Sequence, residues 1–222
     1  MKKYFLISCV LLFIAGCATK KHVHLPDLNK PIASQEYYHC GSVFPKGEWQ
    51  FVHSIDFTMG DGKGTTVVGI TTLLPDRMTS ALLTVEGFTL FEADFFGENT
   101  FQVHRAVPPF DRPGFAEGMM HDIRTIFQPP TSNNIERGYT ADGMATCRYT
   151  ESDGRVTDIL PNKDDCWQIT SYTPSRIMDR TISGRSCREK GSTRIPEHLV
   201  LQNRGIPDYT LTLTLLRADI LQ

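Results

Sequence analysis

The segment Tyr209-Thr210-Leu211-Thr212-Leu213-Thr214-Leu215 alternates apolar and polar side chains without interruption. A period of two residues places the apolar side chains on one face of an extended strand and the threonines on the other. The turn-forming segment Gly205-Ile206-Pro207-Asp208 precedes it, and the apolar run His198-Leu199-Val200-Leu201 comes before that turn. These features predict a β-hairpin near the end of the chain and indicate a fold built mainly from antiparallel strands.

Similar patterns recur on the N-terminal side of this hairpin. Phe51, His53, Ile55 and Phe57 lie at every second position, which predicts a half-buried strand. Residues 60–64 are rich in glycine but lack the GxxxxGK[ST] and GxGxxG spacings of phosphate-binding loops, so we interpret them as a hairpin turn.

Further strands are predicted on both sides of the chain's midpoint. Residues 65–74 are β-branched or apolar on both faces, which is typical of a strand covered on two sides. Ala81, Leu83 and Val85 are expected to form the buried face of the next strand. The remaining strands are predicted at 91–95, from 101 onward, and at 145–150, 155–159, 167–172 and 181–187.

One amphipathic helix is predicted over residues 112–128. Asp111 can cap it, Pro113 suits its first turn, and Pro129-Pro130 ends it. Its apolar stripe consists of Phe115, Met119, Ile123, Ile126 and Phe127, with Met120 at the edge. A single stripe indicates a helix lying on a sheet or across a groove, and the stripe is either plain core or a deformable ligand wall. With nine to eleven strands and turns every eight to twelve residues, the pattern favours a barrel or a strongly curved sheet.

The first residues have the composition of a secretion signal. Lys2 and Lys3 precede a short apolar run that ends in Ile14-Ala15-Gly16-Cys17. This ending resembles the lipobox of bacterial lipoproteins. The resemblance implies that residues 1–16 are cleaved and that Cys17 becomes the first mature residue, acylated with fatty chains such as palmitate. Ala18 follows where inner-membrane sorting uses Asp, which favours the periplasmic face of the outer membrane.

The mature chain is then divided into a tether and one domain. Residues 17–40 are polar and contain Pro26 and Pro31, so we interpret them as a lipidated N-terminus with a flexible tether, and residues 41–222 as a single domain. Loss of the two signal lysines changes the formal charge from −2 to −4. A mildly acidic chain without a basic cluster is unlike a nucleic-acid-binding protein, and the expected attachment is to a membrane through acyl chains.

Four cysteines are left after Cys9 and Cys17: Cys40, Cys147, Cys166 and Cys187. In an oxidising periplasm they predict two disulfides, with three connectivities open. We expect one bridge to tie the Cys40 segment to the later sheet and the other to join neighbouring C-terminal hairpins. A zinc site is the alternative, although no CxxC pair is present.

No catalytic motif accompanies this framework. GxSxG and HExxH are absent, and Glu86, Glu92 and Asp94 are interpreted as solubility residues on outward-facing strand positions. We therefore expect a non-enzyme with no catalytic residues, no metal and no cofactor.

The order of these features resembles the LolA/LolB-like outer-membrane lipoprotein carrier and receptor superfamily, in its uncharacterised predicted-lipoprotein branch. The likeness rests on the lipobox, on Leu82-Leu83-Thr84-Val85-Glu86-Gly87-Phe88-Thr89-Leu90-Phe91, on the 112–128 helix, and on the C-terminal hairpin. It implies a half-open antiparallel β-barrel with an apolar concave face and helices as a lid. The residues expected to line a ligand are Phe91, Phe95, Phe115, Met119, Ile123 and Phe127.

Two functions are carried forward. The first is a membrane-anchored, periplasm-facing lipoprotein that binds or relays an acyl chain, a lipid or a lipoprotein. The second is a non-enzymatic scaffold or assembly lipoprotein that binds an envelope protein through an exposed edge strand.

Overall fold

The computed structural model describes residues 22–29, 40–97, 100–112, 114–132, 134–163, 166–191 and 193–221. The predicted lipidation site Cys17 lies outside them. Twelve strands and one α-helix follow a short 3-10 helix at Cys40–Val43. Before the helix come β1 (Trp49–Met59), β2 (Gly64–Leu73), β3 (Arg77–Leu83), β4 (Thr89–Phe96) and β5 (Thr100–Ala106). The helix α1 (Phe115–Phe127) precedes β6 (Asn134–Tyr139), β7 (Ala145–Thr150), β8 (Val156–Lys163), β9 (Cys166–Tyr172), β10 (Met178–Lys190), β11 (Thr193–Asn203) and β12 (Tyr209–Ile220).

All twelve strands form one antiparallel sheet. Its order is β5-β4-β3-β2-β1-β12-β11-β10-β9-β8-β7-β6, so the first and last strands of the chain pair in the middle. The edge strands β5 and β6 do not pair with each other, and α1 is the connection between them. The predicted mainly-β, half-open architecture with a helix is confirmed, with twelve strands instead of nine to eleven. The additional strand is β6, which the sequence pattern did not predict because Asn134–Tyr139 shows no regular alternation of apolar and polar side chains.

The strand register defines two ends of the sheet. We call the end at which Met59, Leu83 and Tyr209 lie the upper rim and the opposite end, where β1 begins at Trp49, the lower rim. The turns on the upper rim are 60–63, 84–88, 151–155, 173–177 and 204–208.

The inner face of the sheet carries the core. Along β1 it is formed by Trp49 and Phe51, whose rings stack 5.4 Å apart, followed by His53. Phe91 and Phe95 continue it on β4, as their alternation predicts. The outer face is the one on which the intervening residues lie.

Two strand faces differ from the predictions. On β3 the buried side chains are Met78, Ser80 and Leu82, whereas Ala81 and Leu83 are half-buried and Val85 is exposed in the turn. Both faces of this strand are apolar, so the pattern did not determine which one turns inward. The strand β2 is buried on one face and half-buried on the other, instead of covered on both.

The helix starts later than predicted. Its first turn follows Gly114, which has φ 76° and occupies the N-cap position, so Asp111 is not the cap. Glycine suits this left-handed conformation because it has no Cβ. At the other end, Gln128 is extended and Pro129 follows, which confirms the predicted end of the helix.

Two disulfides join the elements in the predicted manner. Cys40–Cys147 attaches the 3-10 helix to β7, and Cys166–Cys187 links the neighbouring strands β9 and β10. The absence of a side chain at Gly184 makes room for the second bridge, because a Cβ there would lie 2.8 Å from the Cys166 sulfur.

Part of the predicted tether contacts the sheet. Within residues 22–29, His24 forms a β-bridge with Ile177 and Asn29 forms one with Tyr139. The structure thus gives this stretch two attachment points on the domain.

Candidate functional site

The helix α1 covers the inner face of the sheet with its apolar side. The Phe127 ring lies 5.0 Å from the Phe51 ring and 6.0 Å from the His53 ring, measured between centroids. Met120 and Ile126 are buried in the same core cluster. The helix therefore closes the concave side of the open sheet.

Five of the six side chains expected to line a ligand belong to this cluster. Phe91, Phe95 and Phe127 are buried in it, and Met119 and Ile123 pack against it half-buried. Phe115 instead packs edge-on against Phe110, with ring centroids 5.3 Å apart. The predicted residues thus meet where the helix faces the sheet, and the structure holds them as core.

A buried polar contact also joins the helix to the sheet, and we call Asp122, Arg180 and Tyr209 the latch. The Asp122 carboxylate lies 3.0 Å from a guanidinium nitrogen of Arg180 and accepts a hydrogen bond from the Tyr209 hydroxyl. The pKa of Asp122 is raised overall, because the effect of burial exceeds the opposing effects of the Arg180 charge and the Tyr209 hydrogen bond. Burial and the adjacent Asp122 charge raise the pKa of Tyr209.

The sequence did not indicate the latch. Asp122 stands beside the predicted apolar stripe, but its partner Tyr209 is 87 residues away. An acidic residue adjoining an apolar stripe is the one signal that could have suggested a buried partner.

A small cavity lies between the end of α1, the segment after the 3-10 helix, and the lower half of the inner face. Its volume is about 20 Å³, and it is lined by Val43, Pro45, Phe51, His53, Ile126, Phe127, Trp167, Arg194, Ile195, Pro196 and Leu199. That is room for roughly one water molecule. Of the residues predicted to line a ligand, Phe127 alone borders it.

Two side chains that line this cavity, His53 and Trp167, carry ring nitrogens and are buried. Burial lowers the pKa of His53 to about 4, which keeps the imidazole neutral at ordinary pH. The indole N–H of Trp167 is buried and donates to no acceptor within the described residues. These groups give a mostly apolar cavity a limited hydrogen-bonding capacity.

Within the described ranges, no three His, Cys, Asp or Glu side chains are grouped so that they could hold a metal ion. The helix in the same ranges is too short and too polar to cross a bilayer. A ligand larger than a water molecule would fit this cavity only if side chains that line it, such as Ile126 and Phe127 of the helix, were displaced.

Comparisons with known proteins agree on the fold. No family model matches the sequence, and no curated protein matches it at a significant level. The structure is similar to a LolA superfamily protein from Nitrosomonas europaea, with a TM-score of 0.57 and 8% sequence identity over 82% of this chain and 90% of that one. It is also similar to a domain assigned as an outer membrane lipoprotein-sorting protein from Vibrio parahaemolyticus, with a TM-score of 0.51 and 8% identity over 79% of this chain and 86% of that one.

The predicted resemblance is thereby confirmed at the level of structure. The similarity in fold to both solved proteins extends over about four-fifths of this chain, although only 8% of the residues are identical. The chain has the fold of the LolA superfamily.

Proposed function

We propose that this protein is a lipoprotein of the bacterial envelope that binds an acyl chain, as part of a lipid or a lipoprotein, between α1 and the inner face of its sheet. One observation carries the proposal: the concave apolar face of an open sheet is covered by a single helix of thirteen residues. The name of the similar domain from Vibrio parahaemolyticus refers to outer membrane lipoprotein sorting, which supports the same direction.

Binding would require the helix to leave the face that it covers. Burying about ten methylenes of an acyl chain contributes on the order of 8 kcal/mol. Release of the helix separates the latch residues and exposes Met120, Ile126 and Phe127 to water, which costs roughly 1.5–3 kcal/mol for each side chain. The gain and the cost are of similar size, which suits a protein that must both take up and release its ligand.

The envelope location rests on two further features. The disulfides Cys40–Cys147 and Cys166–Cys187 are typical of proteins in oxidising compartments. Acylation of Cys17 would then hold the domain at a membrane surface, with the outer membrane's periplasmic face as the proposed site.

Photocrosslinking in cells tests the proposal on the full chain. Cells expressing it are supplied with a photoactivatable fatty acid and irradiated, and crosslinked peptides are identified by mass spectrometry. We expect adducts in α1 and on β1, β4 or β9 in the wild type. Phe127→Asp should lose them, because a carboxylate would then lie on the ligand path, whereas Leu216→Asp at an exposed position of β12 should keep them.

Equal labelling of the wild type and Phe127→Asp would contradict binding at this site. Labelling that is confined to a Cys17 peptide would show an anchor without a bound ligand. In that case the scaffold function would be favoured, with the exposed edge strand β5 as the surface for a protein partner.

A further inference from the structure

The first described part of the chain is fixed to the upper rim of the sheet. The Val23 carbonyl accepts a hydrogen bond from the Met178 amide at 2.8 Å, and the Leu25 amide donates to the Arg176 carbonyl at 2.9 Å. These contacts lie at the turn between β9 and β10. We call residues 22–29 the strap.

The strap then runs over the outer face of the sheet. Arg148 binds Asp158 through two hydrogen bonds of 2.7 Å and donates a third, of 2.8 Å, to the Pro26 carbonyl. Both charged side chains are buried, so this contact is sheltered from water. Charge-assisted, bidentate contacts of this kind are stronger and more directional than exposed ion pairs.

The strap ends on the lower part of the edge strand β6. Asn29 and Tyr139 exchange two backbone hydrogen bonds of 2.8 and 2.9 Å. A Cβ on Gly138 would lie 2.6 Å from the Asn29 carbonyl oxygen, so the backbones approach as closely as a glycine permits. With contacts at both ends and in the middle, the strap has a fixed direction on the domain.

This direction limits where an acylated Cys17 can reach. Cys17 and Val23 are six residue steps apart, and a fully extended chain spans at most about 22 Å over that distance. The eleven-residue strand β1 is about 36 Å long. Since the strap enters at the upper rim, the membrane anchor can lie close to that rim but not beyond the lower one.

The upper rim also carries large apolar side chains that are exposed to solvent. Ile206 is fully exposed, and Phe88 and Val85 are 72% and 70% exposed. They are the three most exposed large apolar side chains in the described part of the chain, and all three lie in turns of the upper rim. A single exposed apolar residue is ordinary, but three at one end of a sheet mark a surface that suits an apolar partner.

We infer that the upper rim faces the lipid bilayer that holds the acyl chains of Cys17, and that Ile206 contacts the lipid. This inference rests on the lipid anchor of the proposed function. The strand β5 also ends at the upper rim, at Ala106, and the chain enters the helix from there. The segment that leads from β5 into α1 therefore begins at the rim that faces the membrane.

Fluorescence quenching in proteoliposomes tests this orientation. The full-length, acylated protein is reconstituted into phosphatidylethanolamine–phosphatidylglycerol vesicles with brominated acyl chains, either as Ile206→Trp or as the lower-rim control Asp76→Trp. The native Trp49 and Trp167 are buried and supply a constant background that the wild type measures. We expect brominated lipid to reduce the added fluorescence of Ile206→Trp at least twofold and to leave that of Asp76→Trp within about a tenth of its value.

The outcomes separate the two proposals. Equal quenching of Ile206→Trp and Asp76→Trp, or stronger quenching of Asp76→Trp, in a sample whose Cys17 peptide carries acyl mass would overturn the orientation alone. An unmodified Cys17 peptide in the same sample would overturn the orientation together with the anchor of the proposed function, while acyl-chain binding would still be judged by the crosslinking experiment.

Discussion

His53 lies beside the rings of Phe51 and Phe127 and lines the cavity. These mostly apolar surroundings disfavour the charged form of its imidazole. Its ring is 6.2 Å from the Phe51 ring and 6.0 Å from the Phe127 ring, and Arg194 lines the same cavity. Protonation would place a cation in a buried and mostly apolar site. Burial therefore lowers the pKa of His53 from 6.5 to about 4.

This pKa makes the stability of the protein depend on pH. Above pH 6.5 the imidazole is neutral in both the folded and the unfolded state, and its contribution is fully present. Below pH 6.5 the unfolded state takes up the proton first, so the contribution of His53 to the free energy of unfolding should fall by about 2 kcal/mol between pH 7 and pH 5. Burial also lowers the pKa of His121 to about 4, so urea titrations should show a loss in His53→Leu that is about 2 kcal/mol smaller than the loss in the wild type and in His198→Leu, an exposed control.

Asp122 is expected to matter more for stability than an exposed aspartate does. Asp122→Ala leaves Arg180 buried without its partner, which should lower the free energy of unfolding by roughly 3 kcal/mol. The matched control Asp153→Ala removes a surface pair with Arg155 and should cost less than about 1 kcal/mol. Similar losses for the two variants in chemical denaturation would show that the latch does not hold the helix.

Single residues differ in how well the sequence predicted them. Phe91 and Phe95 were identified because a period of two depends only on local sequence. The roles of Asp122 and Trp167 depend on residues that become neighbours only after the sheet has formed. A local pattern carries no information about such contacts.

At the scale of elements, the two disulfides close loops of different length. Cys40 and Cys147 are 107 residues apart, whereas Cys166 and Cys187 are 21 apart. In the chain-entropy treatment these loops correspond to about 4.8 and 3.3 kcal/mol. We expect the variant with Cys40→Ser and Cys147→Ser to melt at a lower temperature than the one with Cys166→Ser and Cys187→Ser, as measured by calorimetry.

The longer bridge also holds the segment that closes the lower end of the cavity, because Val43 and Pro45 follow Cys40 directly. Its loss should therefore increase binding of an apolar fluorescent dye at temperatures where the protein remains folded. If the Cys166–Cys187 variant bound as much dye, the 3-10 helix would not be part of the closure.

Elements were predicted best where one face alone is apolar. The strands β1, β7 and β12 fulfil that condition or have clear turns at both ends, and their positions agree with the pattern. The prediction of which face of β3 turns inward was wrong, because both faces of this strand carry apolar residues. The start of α1 was displaced because a glycine in a left-handed conformation caps it, where the pattern favoured an aspartate.

At the scale of the whole molecule, the pairing of β1 with β12 decides the shape. Two series of neighbouring strands, β1–β5 and β6–β12, meet at that pair, and the sheet is left open between β5 and β6. No local pattern specifies which non-consecutive strands pair. The family resemblance predicted a half-open barrel, but the pairing of β1 with β12 was not predicted. The same topology leaves one helix as the cover of the inner face.

This topology predicts an unequal distribution of stability, which hydrogen–deuterium exchange can measure. The strands β1 and β12 have hydrogen-bonded neighbours on both sides, whereas α1 is held by the latch and by the apolar contacts of its inner side. We expect amides of α1 to exchange at least tenfold faster than those of β1 and β12, through openings that leave the sheet intact. Asp122→Asn should accelerate exchange in α1 peptides and leave β1 and β12 peptides unchanged. If α1 exchanged as slowly as the central strands, the inner face would open only by global unfolding, and a site reached by release of the helix would be excluded.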